Sequence, residues 1–246
     1  MNLYIEKSVG VITPTIGTDR LKKAVESVFS QKYKNIKHFL VVDGKDYCNE
    51  NIKDVSTYSN VVPIILPFNT GKNGYNGQKI YASIPHILEQ DYILFLDEDN
   101  WWDSNHVRSL VELIEKDKLD WAYSLRKVYV QDNYLADDCC ESIGKYPIWF
   151  TTNNNPQYLV DTSSYCFTRS FITKTCHLWH SGVWGEDRRY FLAIKNMSKY
   201  DTTGLHTLNY KLPDMNKAYG GDMQFFEKGN LFVKNFYGGE YPWKKI

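Results

Sequence analysis

The chain has 246 residues, 43% of them hydrophobic and 24% charged, which excludes a disordered polar chain and allows one large α/β domain or two smaller ones. Its 29 Lys and Arg balance its 29 Asp and Glu, so the global basic excess of a nucleic-acid-binding protein is absent. No apolar run approaches the roughly 18 to 20 residues that span a bilayer. The first residues lack the basic-then-apolar pattern of a secretory leader, and the five cysteines form no C-x-x-C pair. The expected setting is therefore the cytoplasm, with peripheral membrane contact allowed and no transmembrane segment.

Strand and helix signals alternate along the first half. An apolar run at 8–13 ends at Pro14. Leu21, Ala24, Val25, Val28 and Phe29 follow at helical spacing, with Thr18 as the expected N-cap. Strands are predicted at 36–43, 61–66 and 92–96. A Gly- and Asn-rich loop at 69–77 precedes a helix at about 78–88, which Pro85 should kink or shorten. Val107, Leu110, Val111 and Ile114 give a helical stripe, capped by Asp103 or Ser104. The alternation predicts a mostly parallel sheet flanked by helices.

The pattern loosens after Asp120. Strands are expected at 121–130, 158–160, 165–167 and 204–212 and a helix at 186–197, with an irregular excursion at 131–156 and a Gly- and aromatic-rich tail from Met215. The second half reads as an elaboration on the same sheet. The expectation is one domain, about 1–118 forming one half and about 119–246 the other.

In an open α/β sheet, ligands bind beyond the carboxyl ends of the strands. Four features fall there: Thr13-Pro14-Thr15, Asp43-Gly44, the 69–77 loop, and Asp97-Glu98-Asp99. The last is a D-x-D whose outer carboxylates, on one side of an extended segment, suit a hard divalent cation completed by phosphate oxygens. The plain alternative is an acidic turn capping the next helix. The loop, with Gly71, Gly74 and Gly77, offers backbone N–H groups to an anion, or is an ordinary surface turn. It lacks the Gly-Lys-Ser/Thr ending of a Walker A loop. His177 and His180 are read as ordinary polar residues, since no further zinc ligands are spaced with them.

In order and spacing, VITPTIGTDRLKKAVESVFSQ, HFLVVDG, NTGKNGYNG and YILFLDEDN resemble the nucleotide-sugar-binding half of GT-A fold, family-2 glycosyltransferases, and Gly185-Glu186-Asp187-Arg188-Arg189 resembles that family's E-D motif. The resemblance implies a GT-A (Rossmann-like) α/β fold, a first half that binds the nucleotide sugar and a second that binds the acceptor. It implies an inverting, metal-dependent transfer of one sugar, from a UDP-sugar by preference, to a glycan, lipid-linked or protein-linked hydroxyl. Mn²⁺ or Mg²⁺ would be the cofactor.

By the same resemblance Thr13, Pro14 and Thr15 line the nucleotide pocket, Asp43 contacts the base, and Asn69, Gly71, Asn73, Gly74 and Glu98 join the donor site. Asp97 lies near the ribose and Asp99 on the metal, with Asp97 as a further ligand and His206 either a ligand or an ordinary polar strand residue. Asp187 is the general base, with Glu186 as alternative. The plain role of Asp187 is an ion pair with Arg188, Arg189 or another cation. Trp101, Trp102 and Trp184 adjoin these motifs and are read as acceptor platforms or as core. Asp161 is read as an acceptor contact or a turn residue. The competing function is a nucleotide- or carbohydrate-binding module on the same fold without catalysis.

Overall fold

The computed structural model describes residues 6–147, 157–179, 182, 185–212 and 223–244. In chain order these form β1 (Val9–Thr15), α1 (Leu21–Phe29), β2 (Ile36–Val42), α2 (Glu50–Val55), β3 (Val61–Ile65), α3 (Gln78–Ser83), β4 (Tyr92–Phe95), β5 (Trp101–Trp102) and α4 (His106–Asp117). There follow β6 (Trp121–Val130), β7 (Asn133–Asp137), β8 (Tyr165–Thr168), α5 (Arg169–Thr175), α6 (Glu186–Ile194), β9 (Tyr200–Lys211) and α7 (Met223–Phe236).

One sheet runs β3-β2-β1-β4-β8-β6-β9-β5, with β7 paired to β6. The pairs β3–β2, β2–β1, β1–β4 and β6–β9 are parallel. Strand β8 is antiparallel to both β4 and β6, so β4 and β6 point the same way. Most strands share one direction, as the alternating pattern predicts.

Period-two alternation places successive side chains on opposite faces. Val9 and Val11 of β1 and Leu94 of β4 lie under Ala24 and Val28 of α1 and Val107, Leu110 and Ile114 of α4. Ile12, Ile93 and Phe95 face the other way, toward Ile80 and Tyr81 of α3 and Tyr190, Phe191 and Ile194 of α6. That second cluster also takes in Trp121 and Trp243, so an apolar core is shared by both halves of the chain. Trp121 is fully buried and stacks on Tyr200 with ring centroids 4.1 Å apart.

Several local expectations are revised. Strand β1 continues through Pro14 to Thr15, because the pairing with β4 ends at Ile12 while that with β2 continues. Thr18 does not cap α1 with its side chain; its N–H is donated to Glu98 at 3.3 Å. Asp103 does not cap α4, because its carboxylate accepts from Lys127 at 2.6 Å and Asn209 at 3.0 Å. Pro85 does shorten the third helix, which ends at Ser83 and gives way to a 3₁₀ turn. The segment 158–160 is not a strand. Gly144 donates its N–H to the Leu159 carbonyl at 2.8 Å and Asp161 to the Ser142 hydroxyl at 2.9 Å, so its bonds go to a loop. The excursion contains β7 and the tail contains α7.

Candidate active site

The parallel strands bring their carboxyl ends to one rim, and side chains tie the rim together. At the end of β2, Asp43 accepts from the Thr70 N–H at 2.7 Å, the Thr70 hydroxyl at 2.8 Å and the Gly71 N–H at 2.8 Å. The approach is so close that a Cβ at Gly71 would lie 2.5 Å from the Asn76 carbonyl and 2.9 Å from Asp43 Oδ2. The loop closes on β1 at Gly77, where a Cβ would lie 2.8 Å from Pro14 Cγ. Within the loop, Asn69 donates to the Tyr47 hydroxyl at 3.1 Å, while Asn73 and Gly74 form an exposed turn with φ of 63° and 86°.

At the end of β4, Asp97 accepts the Tyr81 hydroxyl at 2.7 Å and the Ser163 hydroxyl at 3.2 Å. The middle carboxylate, Glu98, accepts the Thr15 hydroxyl at 2.6 Å. Asp99 lies 3.5 Å from the Arg20 guanidinium. Thr13 is fully buried with its hydroxyl 2.8 Å from His38 Nε2, which makes it an interior residue and not a pocket wall.

The site is electrostatically crowded. Burial pushes the Asp97 carboxyl up to about 7, with the Asp99 and Asp161 charges adding to it and the Tyr81 and Ser163 hydrogen bonds opposing it. Burial also raises Asp99; Arg20 pulls against this, and Glu98 and Asp161 add to it.

Asp187 occupies the first turn of α6. The Gly182 N–H donates to Gln78 Oε1 of α3 at 2.9 Å. Asp187 Oδ1 accepts the Arg188 N–H at 2.8 Å, but the Arg188 guanidinium turns to Glu141 at 2.8 Å. Among the described residues Asp187 has no ion-pair partner, contrary to its plain reading. Burial, reinforced by Asp161, pushes its carboxyl up to about 6. Glu186, beside it, is buried.

Asp161 is thus a common neighbour of Asp97, Asp99 and Asp187. Its own oxygens are engaged: Oδ1 accepts the Ser163 N–H at 2.9 Å and Oδ2 meets Arg126 at 2.7 Å. Arg126 also meets Asp138 at 2.8 Å and pairs with Glu141.

The sequence profile described as Glycosyl transferase family 2 matches residues 10–174, well over half of the chain. The chain belongs to glycosyl transferase family 2. It is 25% identical over 122 residues to Glycosyltransferase GlyA of Streptococcus pneumoniae serotype 4, a match that covers 49% of this chain and 17% of that protein. Among solved structures, S. aureus TarS in complex with UDP-GlcNAc is similar at a TM-score of 0.61 and 13% identity, over 93% of this chain and 66% of that one. The mannosyltransferase PcManGT from Pyrobaculum calidifontis, in complex with GDP-Man and Mn²⁺, is similar at 0.61 and 10% identity, over 87% and 59%. These likenesses show the GT-A fold. The chain spans a small part of GlyA and 60% of a further TarS structure.

In this family-2 chain Asp97 and Asp99 offer hard carboxylate oxygens that Arg20 only partly offsets, a donor set that fits a divalent cation. Among the described residues no three His, Cys, Asp or Glu side chains converge on a metal position. The pair therefore suits a cation that brings further ligands with its substrate. His206 is not brought to that pair: its Nδ1 lies 3.9 Å from Asp137 on β7.

Trp102 is a core residue, 3% exposed, stacked on His106 and donating its indole N–H to the Ser163 carbonyl at 2.9 Å. It has no surface for an acceptor. Trp101 is half-buried, with Lys23 Nζ 3.5 Å over its ring and Tyr129 against it. Asp161, 5% exposed and bonded through both oxygens, organises the site from within and is not an open acceptor contact. Trp184 and His180 lie outside the described residues. No helix among the described residues is long and apolar enough to cross a membrane.

Tyr81, Ser163, Arg126, Glu141 and Arg20 were not anticipated. Arg126 had a local signal, a charge inside the apolar run WAYSLRKVYV. Tyr81 and Ser163 had none, since each meets Asp97 only through the fold.

Proposed function

We propose that the chain transfers one sugar, with inversion, from a nucleoside-diphosphate sugar, a UDP-sugar by preference, to a hydroxyl of a glycan, lipid-linked or protein-linked acceptor. The observation that carries this reading is Asp187: a carboxylate raised to about 6, without an ion-pair partner among the described residues, electrostatically coupled through Asp161 to the same cluster as Asp97 and Asp99. A base with a pKa somewhat below neutral is ionised at pH 7 yet still accepts a proton in the transition state.

Asp187 takes the acceptor hydroxyl proton as that oxygen forms its bond to the anomeric carbon. The bond from that carbon to the diphosphate oxygen breaks on the opposite face, through an oxocarbenium-like transition state. Asp99, with Asp97, would hold Mn²⁺ or Mg²⁺, which supplies Lewis-acid stabilisation of the charge on the departing diphosphate. Asp43 holds the 69–77 loop over the base and phosphate side of the pocket. The UDP-GlcNAc bound to TarS and the GDP-Man and Mn²⁺ bound to the mannosyltransferase support a nucleotide-sugar donor and a divalent cation.

The test is release of UDP from UDP-sugars, with acceptor hydroxyls screened, by wild type and Asp187→Asn. Turnover by wild type that falls at least a hundredfold in the variant is expected. Equal turnover by the two would remove Asp187 from the role of base.

A further inference from the structure

Tyr165 and Phe167 lie two residues apart on one face of β8 and pack alike. Their rings meet Trp121 at 5.6 and 6.1 Å between centroids, and the edge of Tyr190 at 5.9 and 6.0 Å. Packing explains both rings but not the hydroxyl that distinguishes Tyr165. That hydroxyl has no hydrogen-bond partner among the described residues, and its side chain is fully buried. The neighbouring phenols are satisfied: Tyr123 donates to the Ile143 carbonyl at 3.2 Å, and the Tyr190 hydroxyl lies 3.2 Å from that of Thr175. A buried hydroxyl left unpaired costs its desolvation.

Antiparallel pairing with β4 sets Tyr165 at the rim end of β8, just after the Asp161 turn. Tyr190, whose ring edge it meets, follows Asp187 by three residues on α6, so those two share a side of that helix. Burial pushes the Tyr165 phenol well up, and the groups that add to this are Tyr190, Asp187, Asp161 and Tyr123. Two of these are carboxylates. Asp161 is committed through both oxygens to Ser163 and Arg126. Asp187 accepts one N–H, from Arg188, whereas an ionised carboxylate has about four lone-pair sites. Asp187 is therefore the carboxylate with accepting capacity to spare.

We propose that the Tyr165 hydroxyl donates to Asp187 once that carboxylate ionises, and so orients it toward the acceptor hydroxyl. The inference rests on the reading of Asp187 as the base. Tyr165 is a positioning residue, since its burial keeps it from the substrate. A charge-assisted bond from a phenol is short and strong, and it replaces an orphaned donor. It favours the ionised form of Asp187, as Arg188 and Arg126 do, against burial and the Asp161 charge.

The test is Tyr165→Phe, which keeps the ring and removes the donor, with melting curves to confirm folding. Carboxyl-carbon NMR of ¹³C-labelled aspartate follows ionisation without any substrate, the Asp187 signal being identified by its loss in Asp187→Asn. Removing the donor should raise the Asp187 midpoint by about half a pH unit or more. UDP release from a panel of UDP-sugars should fall about fivefold or more in kcat, with the donor KM within about twofold, and its acid limb should move up with the midpoint. An Asp187 midpoint equal to that of wild type would overturn the proposal, and so would a raised midpoint with unchanged kcat. If wild type releases no UDP, or Asp187→Asn retains full turnover, the reading of Asp187 as base falls and the positioning role with it. The carboxyl titration then still decides the pairing: a raised midpoint in Tyr165→Phe supports it, and an unchanged one overturns it.

Discussion

Arg126 and Asp161 meet at 2.7 Å with side chains only 4% and 7% exposed. Asp138 and Glu141 complete the ring of carboxylates around the guanidinium, and Tyr210 packs on it at 4.2 Å. Of these three carboxylates it is Asp161 that adds to the upward shifts of Asp97, Asp99 and Asp187, with Arg126 opposing the shift at Asp187. The same arginine binds Glu141, which binds Arg188, so the strand that anchors Asp161 is linked to the helix that carries Asp187.

Removal of the guanidinium should be costly. Arg126→Met leaves Asp138 and Asp161 buried without their cation, and breaking a buried ion pair costs roughly 3–5 kcal/mol. The variant should melt well below wild type in a thermal unfolding scan, and Arg126→Lys should recover only part of the loss. A melting temperature equal to wild type for Arg126→Met would show that the network is not a strong structural restraint.

Asp43 should act through the loop it holds. Asp43→Ala removes the acceptor for three hydrogen bonds, two from backbone N–H groups and one from a hydroxyl. Bonds to a charged acceptor contribute about 1.5–3 kcal/mol each when intact. UDP affinity should fall at least tenfold, and limited proteolysis should cut within 69–77 faster than in wild type. Unchanged protection of the loop would contradict this role.

The raised carboxyl of Asp187 sets an acid limb. A base must be ionised to work, and burial moves this group from its ordinary 3.8 to about 6. Turnover should therefore fall tenfold per pH unit below about 6 and level off above it. The same shift gives a stability effect of defined sign. The folded state holds this proton at pH values where the unfolded state has lost it, so the contribution is fully present below about pH 4 and is lost as pH rises through 6. Asp187→Asn should accordingly melt higher than wild type at pH 8, with the difference shrinking toward pH 4. A flat rate profile between pH 5 and 8 would contradict the assignment.

The fold was largely legible because its signals are local. The buried stripes of α1 and α4 and the apolar runs of β1, β2 and β4 carry their signal within a few residues. The rim was legible because strand ends in a parallel sheet must converge. Long-range partners were not. Asp103 has the chemistry of an N-cap, and only the fold shows that Lys127 and Asn209 claim its carboxylate. Trp102 adjoins the D-x-D in sequence, yet alternation along β5 turns it into the core while Trp101 stays half-buried. His206 has the chemistry of a metal ligand, but its place in β9 sets it beside Asp137. Strand β7 and helix α7 escaped notice because turn residues and aromatics blur the periodicity around them.

The central claim is that donor binding and proton removal reside in separate carboxylates on one rim. It is tested most directly by titrating UDP with Mn²⁺ into wild type, Asp99→Ala and Asp187→Asn side by side. Wild type and Asp187→Asn should bind with affinities within a few-fold of each other, binding should require Mn²⁺, and Asp99→Ala should lose it. Metal-independent binding that survives in Asp99→Ala, or loss of binding in Asp187→Asn, would contradict that division of labour.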